Sequence, residues 1–308
     1  MSFIKIFSGT SSRYLAQQIA NSYGKTLGTV TSQRFNDGEI NVSFDESIRG
    51  CDVFIIQSTF APADNLMELL LLIDAARRAS AAYVTIIVPY FGYARQDRKD
   101  KPRVSIAAKL VANLLSAAGA DRLMTCDLHA GQIQGFFDIP VDHMDGAAIF
   151  VPYLRSLNLE NLTFASPDVG GVSRARNIAR YLEADLVVCD KHRKRAGEIA
   201  SMQLIGDVQG ANVVLVDDLI DTGGTICKAA EIIMQNGAKS VRAICTHPIL
   251  SGKAVENIEN SVLVELVVTD TIPLKQNSPK IRVLTVADLF AKAIRKIQDK
   301  DSISSLFI

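Results

Sequence analysis

Short apolar runs rich in β-branched residues recur along the chain: FIKIF, DVFIIQ, YVTIIVPYF, RLMTCD, LTFAS, DLVVCD, NVVLVDD, SVRAICTH and VLVELVVTD. Several are apolar throughout, without the polar alternation of a half-solvated strand, which predicts strands covered by helices on both faces. Between them the apolar positions change to a helical period, predicting helices over 12–23, 64–79, 105–118, 171–183, 224–236 and 288–298. Asp64 and Ser105 stand where helix N-caps are expected, and Gly24, Gly119 and Gly237 stand where the residue after a helix needs positive φ. Alternating strands and helices predict an α/β fold with largely parallel sheets.

The 308 residues are enough for two domains of ordinary size. The boundary is expected near DHMDGAAIFVPYL, where one series of strands ends and a new helix begins. No Gly/Ser linker or low-complexity tract marks it. A weak internal echo, YVTIIVPYFGYARQD against NVVLVDDLIDTGGT, repeats a strand followed by a polar loop. In such sheets ligands bind at the carboxyl ends of strands, so the residues just after each apolar run are the candidates for chemistry.

Composition narrows the chemistry. Lys+Arg and Asp+Glu both number 33, so no net charge draws the chain to nucleic acid or an anionic membrane. No apolar run has the length of a membrane helix, and MSFIKIFSGT lacks a basic start followed by an apolar signal core, so a cytoplasmic protein is expected. The five cysteines are scattered without a C-x-x-C, most of them inside apolar runs, which argues against disulfides and a zinc site. The four histidines include no i, i+4 pair for a transition metal.

The stretch VVLVDDLIDTGGT, Val213 to Thr225, carries the most information. An apolar strand ends in Asp217 and Asp218, a third acid follows at Asp221, and Thr222-Gly223-Gly224-Thr225 leads into a helix. An N-cap explains one aspartate but not three. The turn offers successive backbone N–H groups, two hydroxyls and a helix N-terminus, which suit a phosphate monoester. Asp217 and Asp218 are placed to accept hydrogen bonds from sugar hydroxyls. Together they read as a ribose 5-phosphate site, with acids and turn serving opposite ends of one ligand.

This motif resembles the phosphoribosyl pyrophosphate motif of type I phosphoribosyltransferases and, more closely, that of ribose-phosphate pyrophosphokinases. Other segments extend the second resemblance over nearly the whole chain, from SGTSS through NLMELLLLIDAARRASA and SIAAKLVANLLSAAGAD to the C-terminal third. RFNDGE, by its Asn-Asp-Gly a hairpin turn, is similar to a family segment that reaches the ATP site of a neighbouring subunit, which makes Phe35, Asp37 and Glu39 nucleotide contacts. YFGYARQDRKDKPR, by composition a solvated basic loop, matches the family's ATP-pocket segment at Arg95, Gln96 and Asp97. The resemblance makes His129 of TCDLHAGQ and Asp168 of SPDVGG magnesium ligands, and magnesium needs few protein ligands beside phosphate oxygens and water. In CDKHRKRAGEI it makes Lys191 and Arg193 the cations of a loop that closes over the reacting group. Ser47, Arg49 and Arg103 match the neighbourhood where relatives bind regulatory phosphate and ADP.

The resemblance implies two phosphoribosyltransferase-like domains, 1–147 and 148–308, sharing an active site in a homo-oligomer, a hexamer by analogy. It implies transfer of the diphosphoryl group of Mg-ATP to the 1-hydroxyl of ribose 5-phosphate. A nucleobase phosphoribosyltransferase would use the same turn without the ARQD segment. A catalytically silent regulatory subunit of the family would not need Lys191, Arg193, His129 and Asp168, and a plain sugar-phosphate binding protein would explain the turn but not the basic segments. Two departures from the family pattern are visible: a glycine at 223 where alanine or cysteine is common, and a DKPRVSI segment one residue shorter than in many relatives.

Overall fold

The structure, a computed structural model, describes residues 3–195 and 198–306, with the side chains of 191–201 outside the description. The chain divides into two compact units. One runs to Asp145 and takes in Ala287–Phe307, and the other is Gly146–Val286.

In the first unit a five-stranded parallel sheet has the order β1 (Ile4–Ser8), β4 (Asp52–Ile56), β5 (Tyr83–Val88), β6 (Arg122–Cys126), β7 (Val141–Met144). The uninterrupted apolar runs are the buried strands: after its first residue every position of β4, β5 and β6 is buried. Phe7, Ile55, Leu69, Ile86, Leu115 and Leu123 lie in one core with α2 (Asp64–Arg78) and α3 (Ala107–Ala118). Helix α1 (Arg13–Tyr23) ends at Gly24 with φ +88°, and α3 at Gly119 with φ +109°, as the glycines require.

The N-caps differ from the sequence expectation. Helix α2 begins with Asp64 itself inside the first turn, where the carboxylate meets the positive end of the helix and pairs with Arg34 at 2.6 Å. Helix α3 begins after Ile106, and the Ser105 hydroxyl instead points across the loop to Gln96 Oε1 at 3.4 Å.

Strands β2 (Val30–Arg34) and β3 (Ile40–Phe44) form a separate antiparallel hairpin. Its Asn-Asp-Gly turn closes with Gly38 at φ +97° and the Gly38 N–H donating to Phe35 O at 2.9 Å. Helix α8 (Ala287–Gln298) belongs to this unit through α1: Ser22 donates to Asp288 at 2.6 Å, and Arg295 donates to Tyr23 O at 2.9 Å while stacking over the Tyr23 ring.

The second unit holds α4 (Ala147–Ser156), β8 (Leu162–Ser166), α5 (Val172–Tyr181), β9 (Asp185–Arg195), β10 (Glu198–Ile205), β11 (Asn212–Ile220), α6 (Gly224–Gln235), β12 (Ser240–Pro248), α7 (Ala254–Glu259), β13 (Leu266–Thr269) and β14 (Ile281–Leu284). The sheet order is β10-β9-β8-β11-β12-β13-β14, parallel except for β9 with β10. The chain winds outward from β8 through β9 in one direction and from β11 through β12 in the other. The seam between β8 and β11 is therefore a topological switch point, the place beyond whose carboxyl end such sheets bind their ligands. No helix among the described residues is long and apolar enough to cross a membrane.

Candidate active site

Strand β11 is buried for five residues and then alternates, and the alternation begins at the first aspartate. Asp218 is only 3% exposed, and its Oδ1 accepts a hydrogen bond from Arg174 Nη1 at 3.0 Å. Arg174 is carried by α5, the helix that follows β8, so the ion pair bridges the two strands of the switch point. Asp217 Oδ1 accepts the Asp218 N–H at 2.9 Å. Burial, with the Asp218 carboxylate next in weight, pushes the Asp217 carboxyl up to about 8; Arg174 opposes this and Asp168 adds to it.

Asp168 lies just beyond β8. Its Oδ1 accepts the Gly171 N–H at 3.0 Å, and its carbonyl accepts the Ser166 hydroxyl at 2.6 Å, so backbone and side chain are both fixed. Gly171 permits the turn, because a Cβ there would lie 2.8 Å from Ser166 Oγ. Three aspartates and one arginine thus share the carboxyl end of β8 and β11, an arrangement suited to a hydroxylated, cation-bearing ligand.

The phosphate turn is short. Asp221, Thr222 and Gly223 connect β11 to α6, whose first residues are Gly224 and Thr225. Thr222 and Gly224 are exposed, Gly223 is buried at φ +77°, and a Cβ at 223 would meet the Ala254 carbonyl oxygen at 3.4 Å. The glycine that departs from the family pattern therefore sits where glycine alone is free of left-handed strain. On the far side, Ser251 donates its hydroxyl to Asp221 Oδ1 and Asn257 donates Nδ2 to Thr222 O at 3.0 Å.

In the first unit the candidates fall into two groups. Arg95 and Gln96 are exposed in the segment after β5, and Asp97 Oδ2 accepts a hydrogen bond from Gln132 Nε2 at 3.0 Å. Gln132 follows His129, which is exposed beyond the end of the adjacent strand β6, so one bond ties the ARQD segment to the DLHAGQ segment. Gly92 in this segment packs so closely that a Cβ would lie 2.0 Å from the Thr59 carbonyl oxygen. Phe35, Asp37 and Glu39 form the other group, on the tip of the β2–β3 hairpin, with Phe35 55% exposed and the Glu39 N–H bonded to Asp37 Oδ1 at 3.1 Å. Non-glycine residues at positive φ follow three of the strands: Tyr93 after β5, Asp127 after β6 and Leu250 after β12. Such strain collects where a loop is held in a working shape. The side chains of Lys191 and Arg193 lie outside the described residues.

Two family models match the chain: the N-terminal domain of ribose phosphate pyrophosphokinase over residues 4–119, and the phosphoribosyl synthetase-associated domain over residues 170–308. A protein of Porphyromonas gingivalis named ribose-phosphate pyrophosphokinase is 56% identical over 303 residues, covering 98% of this chain and 97% of its own. One of the same name from Campylobacter jejuni is 57% identical, covering 99% of each. The chain belongs to the ribose-phosphate pyrophosphokinase family. The crystal structure of phosphoribosylpyrophosphate synthetase from Mycobacterium smegmatis superposes with a TM-score of 0.92 at 40% identity, covering 97% of this chain and 100% of that one.

Within this pyrophosphokinase fold, Gly171 and Gln132, which fix Asp168 and Asp97, fall inside motifs the sequence shows, whereas other residues that hold the candidates in place carry little or no signal. Arg174 carries a faint signal, a cation on the helix entered from SPDVGG. His143 carries none, yet its Nε2 accepts the Leu128 N–H at 2.9 Å and so orients the loop bearing His129, with the ring proton on Nδ1. Ser251 and Asn257 lie in a segment with no motif of its own.

Proposed function

We infer that this chain is a ribose-phosphate diphosphokinase, which transfers the β,γ-diphosphoryl group of ATP to the 1-hydroxyl of ribose 5-phosphate and releases AMP. The observation that carries the reading is the pairing of an acidic strand end with a phosphate turn at the β8–β11 switch point, in a chain that matches this family along its length. The 1-oxygen attacks the β-phosphorus in line, the bond from that phosphorus to the oxygen bridging to the α-phosphate breaks, and the hydroxyl proton passes to solvent. Such a transfer needs positioning and charge neutralisation more than a strong base.

The turn Asp221–Thr225 seats the 5-phosphate, and Asp217 and Asp218 receive the ribose hydroxyls. Arg95, Gln96 and Asp97 serve ATP from one strand end, and Phe35, Asp37 and Glu39 serve the ATP of a neighbouring subunit in a homo-oligomer, as a hexamer. Lys191 and Arg193 neutralise charge on the transferred group. Asp168 of the second unit and His129 of the first are the residues that would hold magnesium beside the phosphates of ATP. The donor set fits: an oriented carboxylate and an exposed imidazole suit a cation that keeps phosphate oxygens and waters. When bound, magnesium supplies neutralisation of the phosphate oxygens. The work is placed in the cytoplasm, where both substrates occur.

Phosphorus NMR of the purified protein with Mg-ATP and ribose 5-phosphate tests this. AMP appearing with a 1-diphosphorylated sugar supports it. ADP as the product would make the protein an ordinary kinase. Turnover only with phosphoribosyl pyrophosphate and a base would favour a transferase. Silence would favour a regulatory subunit.

A further inference from the structure

The acid that opens the phosphate turn poses a chemical problem, because a carboxylate is no ligand for a phosphate dianion. Its oxygen is engaged elsewhere: the Ser251 hydroxyl donates to Asp221 Oδ1. The same segment grips the turn's backbone. The Ser251 N–H donates to Asp221 O at 2.8 Å, Asn257 Nδ2 donates to Thr222 O at 3.0 Å, and the Leu250 N–H donates to Ile220 O at 3.0 Å.

In a planar trans peptide the C=O and the N–H that follows it point in opposite directions. Holding the Asp221 and Thr222 carbonyls against 251–257 therefore turns the Thr222 and Gly223 N–H groups the other way. The next carbonyl, that of Gly223, accepts the Cys227 N–H at 3.1 Å as the first bond of α6, so the Gly224 N–H points out of the helix's N-terminal end. Three successive N–H groups with their carbonyls tied back form a nest for an anion. Gly223 allows the required reversal through its φ of +77° and its closeness to Ala254.

We propose that Ser251 and Asn257 are positioning residues that hold the phosphate turn in its anion-binding shape, and that Asp221 acts through Ser251 and not on the phosphate. The proposal rests on the reading of this turn as the ribose 5-phosphate site. It differs from that reading in assigning affinity for the sugar phosphate to a segment thirty residues downstream of the turn.

The test is steady-state kinetics of the full-length protein, varying Mg-ATP and ribose 5-phosphate separately. Asn257→Ala and Ser251→Ala are each expected to raise KM for ribose 5-phosphate about tenfold while kcat and KM for ATP stay within about twofold, the signature of lost ground-state binding. Ser251→Thr, which keeps the hydroxyl, is expected to restore the wild-type KM. Asp221→Ala, which removes the oxygen that accepts the Ser251 hydroxyl, should raise KM for ribose 5-phosphate as Ser251→Ala does. Unshifted KM in both alanine variants, or equal losses for the two substrates, overturns the proposal. If Asn257→Ala fails to fold by circular dichroism, the comparison of Ser251→Ala with Ser251→Thr decides alone. A wild-type protein that makes no AMP overturns the functional reading and this one with it, while an active wild type with unshifted variants overturns the clamp alone.

Discussion

Replacing Arg174 by methionine keeps most of the aliphatic stem and removes the guanidinium from Asp218. The pair lies at 3.0 Å, with the two side chains 21% and 5% exposed, so the carboxylate left behind has little access to water. Breaking a buried pair on one side costs about 3–5 kcal/mol, because a charge is left uncompensated. For a unit of this size that corresponds to a fall in Tm of roughly 6–20 °C. Removing both charges in Arg174→Met with Asp218→Asn should recover more than half of the loss, since the cost lies in the orphaned charge and not in the missing bond. Urea titration of the ligand-free protein at pH 8, for the wild type, both single variants and the double variant, measures all the quantities needed. A loss below about 1 kcal/mol for Arg174→Met, or strictly additive effects in the double variant, would refute the claim that the arginine compensates a buried charge.

Four further outcomes are expected. Asp217→Asn should stabilise the ligand-free protein: the folded-state value of about 8 exceeds the ordinary 3.8, so the wild type is stable below the lower value and loses stability as pH rises through that window. The variant's gain in urea midpoint should therefore grow from pH 4 to pH 8 and level off, reaching on the order of 2 kcal/mol, and a gain independent of pH would contradict it. Lys191→Ala should cut kcat about 100-fold or more with ATP binding by calorimetry largely intact, and near-normal turnover would remove this residue from the mechanism. Co-refolded Lys191→Ala and Phe35→Ala subunits should regain activity that neither has alone, and no recovery after verified subunit exchange would argue against a nucleotide site shared between subunits. Chelation of divalent cations should abolish turnover reversibly, while leaving the melting curve of the ligand-free protein unchanged if the metal enters with the nucleotide.

Much of the local structure was legible in the sequence because it depends on neighbours in the chain. The apolar runs became the buried strands, and Gly24, Gly119 and Gly237 became the left-handed residues after α1, α3 and α6. The Asn-Asp-Gly turn of the hairpin was equally plain. The short strands β7, β10 and β14 were not, because VDHM and IRVL have too little apolar run to stand out and β10 alternates as an edge strand does. The N-caps misled for a related reason. A serine or aspartate before an apolar stretch marks a helix start only to within a residue or two: α2 takes Asp64 into its first turn, where it pairs with Arg34, and α3 starts two residues after Ser105.

The α/β class, the family and the order of residue types along the phosphate turn could all be read from the chain unfolded, since periodicity, turn formers and motifs are properties of contiguous residues. Folding was needed to make β8 and β11 neighbours, to set Arg174 against Asp218 across 44 residues, and to bring Ser251 and Asn257 onto a turn thirty and 35 residues away. It also put α8 with the first unit. One cause underlies each case. A strand's partner, a buried charge's counter-ion and a turn's orientation are chosen by which groups must be desolvated together, and that choice is made when the sheet assembles.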